Sequence, residues 1–143
     1  MSRLFGALAL SGVTLAALAV APSASAQDDG QAERSAATCY ANSCTGLDPE
    51  RTGCAADAFS PYTVYSGPGL TRKLELRYSP TCRAAWGRIS NVNEYTYVYI
   101  HNSSGATYGN SPTYPATSAY TAMVNDAGLT AWACGPDACT DKY

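Results

Sequence analysis

Polar and apolar residues alternate most strictly over 73–78 and 94–102. From Lys73 to Tyr78, Leu74, Leu76 and Tyr78 share one face of an extended chain, and Lys73, Glu75 and Arg77 share the other. A period of two is the geometry of a strand. From Glu94 to Asn102 the same period sets Tyr95, Tyr97, Tyr99 and His101 against Thr96, Val98 and Ile100, and predicts the strongest strand of the chain. Tyr62–Tyr65 is β-prone and ends at Ser66-Gly67-Pro68-Gly69, a cluster of turn formers. Trp86 to Ser90 reads as a return strand after the Ser79-Pro80-Thr81 turn; a helical turn over Cys82–Trp86 is the alternative start. Asn102-Ser103-Ser104-Gly105 predicts a hairpin loop that returns through Ala106–Tyr108. Ala119–Val124 and Leu129–Cys134 are expected to form a last pair of strands across Asn125-Asp126-Ala127-Gly128. No amphipathic helix pattern follows residue 26. The expected class is all-β, a small disulfide-stapled sandwich or barrel of about six to eight short strands.

The N-terminus has a different pattern. Arg3 is the only charge before Asp28, and Leu4–Val20 is apolar or small throughout. Ala24-Ser25-Ala26 then supplies the small side chains that a signal peptidase requires. The apolar run of about 17 residues sits at the short limit for a membrane span, and Pro22 favours cleavage over retention. The expected division is a signal peptide over 1–26, a polar flexible lead-in over 27–38 and one β-rich domain over 39–143. The expected location is outside the cell.

Charge removes two function classes. The formal net charge is −2, with 9 basic residues scattered among 11 acidic ones. Nucleic-acid binding needs clustered Lys and Arg to neutralise phosphates. An anionic membrane surface asks for the same clustering, so neither partner is expected after signal cleavage.

Six cysteines follow the signal segment: Cys39, Cys44, Cys54, Cys82, Cys134 and Cys139. An even number in an exported chain reads as a disulfide framework. Locality favours 39–44, 54–82 and 134–139. In the chain-entropy picture each small loop contributes about 2 kcal/mol and the middle one about 3.5 kcal/mol. The two matched C-x4-C pairs superficially suggest zinc, but the only histidine is remote from both and an oxidising compartment favours disulfides. No metal and no cofactor are expected.

Several blocks carry a family likeness. They are Cys39-x4-Cys44-x-Gly46-x-Asp48-Pro49, Thr52-Gly53-Cys54-Ala55-x-Asp57-Ala58, and Leu74-Glu75-Leu76-Arg77-Tyr78-Ser79-x2-Cys82-Arg83-Ala84-Ala85-Trp86-x-Arg88-Ile89. Tyr120-Thr121-x-Met123-Val124 and Ala133-Cys134-x4-Cys139-Thr140 complete the pattern. It resembles the bacterial family catalogued as domain of unknown function 2690, over nearly all of Cys39–Thr140. The resemblance implies an exported or cell-surface β-rich domain and carries no catalytic residues with it.

Candidates for chemistry have plain alternatives. His101 with Ser103 or Ser104 and a carboxylate such as Asp126 would make a hydrolase, yet no G-x-S-x-G elbow is present. Glu75 lies between Lys73 and Arg77, which suits cross-strand charge pairing better than glycosidase chemistry. Asp48, Glu50 and Asp57 share a cysteine-tied loop but match no calcium-loop spacing, and Asp48-Pro49 reads as a turn start.

Aromatic residues offer more. All 11 tyrosines and both tryptophans lie after residue 26. Tyr95, Tyr97 and Tyr99 form a binding stripe if the Thr96/Val98/Ile100 side faces the core; otherwise they are themselves the packed face. Trp86 and Trp132 are expected in the core. The favoured reading is a monomeric, non-catalytic exported domain that binds a cell-wall glycan or a protein. A protease inhibitor presenting Gly109–Thr117 or the Cys39–Cys54 loop is one alternative, and a hydrolase built on His101 is the other.

Overall fold

The computed structural model describes residues 36–143, so the predicted signal peptide and most of the lead-in lie outside the described residues. Eight strands run in chain order: β1 (Phe59–Ser66), β2 (Arg72–Ser79), β3 (Ala84–Ser90), β4 (Val98–Asn102), β5 (Thr107–Asn110), β6 (Ser118–Tyr120), β7 (Val124–Asn125) and β8 (Ala131–Cys134). They form two antiparallel sheets. One has the order β1-β2-β3-β6, with β7 also pairing β3; the other has the order β5-β4-β8.

The core lies between the sheets. Leu74, Leu76, Ala85 and Ile89 from the first meet Val98, Ile100, Ala131 and Ala133 from the second. Each fully buried Leu, Ile or Val side chain stabilises the fold by about 1.5–3 kcal/mol. The alternation of 73–78 is therefore a sandwich face, as expected. Small residues let the sheets approach: a Cβ at Gly87 would stand 3.0 Å from Val98 Cγ2 and 3.1 Å from the Tyr99 carbonyl oxygen. The inward glycine sets how closely β3 and β4 pack.

A second small core covers the outer face of the first sheet. Cys44, Cys54 and Cys82 bury Trp86, Ala84 and Met123 beneath the N-terminal segment. That segment is nearly free of regular structure, with short 3-10 turns at Ala41–Cys44 and Cys54–Asp57. Its shape comes from crosslinks and caps. Cys39–Cys44, Cys54–Cys82 and Cys134–Cys139 are the bonded pairs, with Cα–Cα distances of 5.1, 5.7 and 4.0 Å. The Asp57 carboxylate accepts hydrogen bonds from the Ser79 hydroxyl and the Thr81 amide, tying this cap to the β2–β3 turn. Asp48 Oδ1 accepts from the amides of Glu50 and Arg51, the turn-starting role expected of it.

Three expectations change. The strand predicted over Glu94–Asn102 begins only at Val98. Asn93 Oδ1 accepts from the Tyr95 amide and the Thr96 hydroxyl, and this side-chain turn interrupts the extended backbone. The strand predicted over Ala119–Val124 is split into β6 and β7. Between them Thr121 bonds Gly87 through both its amide and its hydroxyl, and Met123 exchanges backbone bonds with Gly46 and Leu47 of the cap. Nor do the last strands pair with each other: β6 and β7 pair with β3, whereas β8 pairs with β4 in the other sheet. The helical alternative at Cys82–Trp86 gives way to a strand that starts at Ala84.

Candidate functional site

The outer face of the second sheet carries a row of rings. Val98 and Ile100 are fully buried, so period two turns Tyr99 and His101 outward on β4. On the partner strand β8, Ala131 and Ala133 are buried and Trp132 turns outward opposite His101. Tyr97, just before β4, continues the line. Successive ring centroids are 6.2 Å apart for Tyr97–Tyr99, 6.3 Å for Tyr99–His101 and 5.5 Å for His101–Trp132. The interplanar angles are only 19°, 25° and 22°, so four rings run nearly parallel and offset. This is a favoured aromatic arrangement.

Its surroundings hold the row in place. Tyr99 pairs across the ladder with Gly109, where a Cβ would meet the ring at 2.5 and 2.8 Å. The tyrosine ring lies in the space left by the missing side chain. His101 Nδ1 is 2.9 Å from Thr107 Oγ1, which fixes the imidazole. Lys142 Nζ sits 4.5 Å from the centre of the Trp132 ring and adds a cation at the far end. Tyr97 and Tyr99 are 53% and 42% exposed.

Of the predicted binding residues, Tyr97 and Tyr99 are in this row and Tyr95 is not. The Asn93 turn carries Tyr95 out of the strand; it is 82% exposed and has no aromatic partner among the described residues. Trp132, expected in the core, is in the row, while Trp86 is buried as expected. The signal for Trp132 was present in the alternation of Ala131, Trp132 and Ala133. Lys142 and Gly109 carried no such signal, because each matters only through a partner distant in sequence.

The serine and glutamate candidates for the alternative chemistries bond to other partners. Ser103 Oγ accepts from the Thr130 amide, and Ser104 Oγ donates to Asn102 Oδ1. Neither bonds His101. Asp126 is buried against Arg83, and burial pushes its carboxyl up to about 7, with the Arg83 charge pulling partly the other way. Glu75 accepts from Lys73 and Ser60 and lies opposite Arg88, as charge pairing predicts. Burial alone would raise its pKa; these bonds and charges outweigh it and hold the carboxyl below its usual range. The Pro-rich 109–117 segment flanks a cleft of ≈ 450 Å³ and exposes Tyr114.

Fold and surface together define a disulfide-stapled all-β sandwich that displays an aromatic row. The chain belongs to the family described as protein of unknown function (DUF2690), whose model matches residues 42–134 and takes in all four rings. Comparison with curated proteins and with solved structures finds no match. Among the described residues no helix is long and apolar enough to cross a membrane.

Proposed function

We propose that this protein is an exported, non-catalytic domain that holds an extracellular glycan on the Tyr97–Tyr99–His101–Trp132 row. The observation that carries this reading is the set of four near-parallel, outward rings. Sugar rings present apolar C–H faces that pack on aromatic faces, and hydroxyl edges that bond to Tyr, His and Lys. Ring spacings near 6 Å suit successive units of a polysaccharide better than one small ligand. The disulfides, the Gly109 seat and the His101–Thr107 contact hold the row before any ligand arrives, so little entropy is lost on binding. Export is supported by the signal-like N-terminus together with three disulfides.

Retention on insoluble peptidoglycan, chitin and cellulose tests the proposal. Wild type is retained on at least one polymer. Tyr97→Ala and Trp132→Ala each release it, and Tyr95→Ala does not. No retention on any polymer, or retention indifferent to both row variants, refutes the glycan reading.

A further inference from the structure

A second concavity lies on the opposite sheet, where the disulfide cap meets the outer face of β2, β3 and β6. It encloses ≈ 260 Å³, and its wall includes Glu50, Arg77, Trp86, Arg88, Ser118 and Tyr120. The register explains the grouping: Arg77 is opposite Trp86, and Arg88 is opposite Tyr120. Trp86, 3% exposed, lines the pocket together with Arg77 and Arg88.

The charges here keep unused bonding capacity. Arg77 is anchored through Nη1 to Ser60 Oγ and through Nη2 to the Ala58 carbonyl oxygen. A guanidinium has further N–H donors beyond these. Arg88 makes no hydrogen bond among the described residues; its Nε forms a long ion pair with Glu75 Oε2 at 3.8 Å, which leaves its terminal N–H groups unused. Glu75 is already engaged through its other oxygen by Lys73 and Ser60. On the cap side the Glu50 carboxylate has neither a hydrogen bond nor an ion pair among the described residues. Glu50 from the cap and Arg88 from the sheet thus line one pocket without pairing with each other. The Tyr120 hydroxyl between them donates to Asp48 Oδ2. Burial, and then the Asp48 and Glu50 charges, raise its pKa, so the phenol stays protonated.

We propose that this pocket binds an α-amino-acid head group, its carboxylate on Arg88 and Arg77 and its ammonium on Glu50. Two guanidinium forks suit a carboxylate. A single carboxylate on the facing wall suits an ammonium, and it disfavours a bare anion. The volume is below the roughly 300–1,000 Å³ of sites for drug-sized ligands, which sets the scale at one amino acid. The head group reaches the pocket either as a free amino acid or as the unlinked end of a diamino-dicarboxylic side chain in a peptide.

An ¹⁵N NMR titration of the oxidised protein reads this directly. Probes are D- and L-alanine, acetate, methylammonium, and a short peptide whose diaminopimelate side chain keeps one head group free. Alanine is expected to shift the Trp86 indole signal, acetate to bind at least tenfold more weakly, and methylammonium to leave the signal unmoved. Arg88→Gln abolishes the alanine shift, and Glu50→Gln reduces alanine to the level of acetate. Both positions face solvent, so far-UV circular dichroism should stay unchanged. Trp132→Ala leaves the titration intact, which separates this site from the aromatic row. Tighter binding of the peptide than of alanine assigns the peptide source, and the reverse order assigns the free amino acid. No shift at Trp86 with either ligand, equal affinity for alanine and acetate, or an unaffected Arg88→Gln overturns the proposal.

Discussion

Asp126→Asn should make the protein more stable by a margin that grows with pH, from about 1.6 kcal/mol at pH 5 to its full value at alkaline pH. Asp126 is only 6% exposed, and its Oδ1 is enclosed without a hydrogen-bond partner among the described residues. Burial raises the carboxyl from 3.8 to about 7 in the folded protein. Between those values the folded state holds a proton that the unfolded state has released. Stability therefore falls as pH rises through this window, and the loss is complete above it. Three pK units at about 1.4 kcal/mol each set an upper bound of about 4 kcal/mol. Asparagine keeps the size and removes the charge. Urea unfolding of the oxidised wild type and variant at pH 5, 6, 7 and 8 gives the difference directly, with equal m-values as a check. Contributions of groups common to both proteins cancel. Asp57 and Glu75 do not interfere: their folded pKa values are lowered, so their stabilisation is lost only as pH falls below about 4.5. Parallel stability curves from pH 5 to pH 8 would falsify the assignment of a buried, strained carboxyl.

Other substitutions separate the row from the scaffold. Gly109→Ala should displace the Tyr99 ring and weaken polymer retention about tenfold, corresponding to about 1.4 kcal/mol, with little change in melting temperature. Equal retention would mean that the Tyr99 position does not matter. Gly87→Ala puts a methyl group between the sheets and should cost about 1–3 kcal/mol in denaturant unfolding. Replacing Cys54 and Cys82 together by Ser removes the longer loop constraint and should cost about 3.5 kcal/mol, against about 2 kcal/mol for the Cys134–Cys139 pair. An equal loss for both pairs would contradict the loop-length argument.

The local signals reached quite far into the fold. The alternation of Lys73–Tyr78 named a core face, and the Asn102–Gly105 hairpin stands as expected, with Asn102 Oδ1 accepting from the amides of Ser104 and Ala106. The errors have a common form. At 94–97 a side chain captured the backbone: Asn93 closed a turn inside a run whose period still read as strand. At 121–123 the chain left its ladder to bond the cap, more than 70 residues earlier in sequence, and one expected strand became two. Trp132, two residues from Cys134, is expected in the core, yet the alternation with Ala131 and Ala133 turns it to the outer face.

By itself the sequence determined the all-β class and the core face of Lys73–Tyr78, and its locality favoured the cysteine pairing that the structure shows. These depend on period, turn chemistry and short chain separation, all of which are local. Only the tertiary structure decided that β8 lies beside β4 and not beside β7, and that choice assembles the row. Trp132 meets His101, and Lys142 meets Trp132, through a pairing chosen by how two sheets bury Val98, Ile100, Ala131 and Ala133. Long-range pairing follows from the fit of the whole core, which no short stretch of sequence encodes. The cap pocket has the same origin, since Glu50 faces Arg88 only because the Cys54–Cys82 bond and Asp57 fold the N-terminal segment over the sheet.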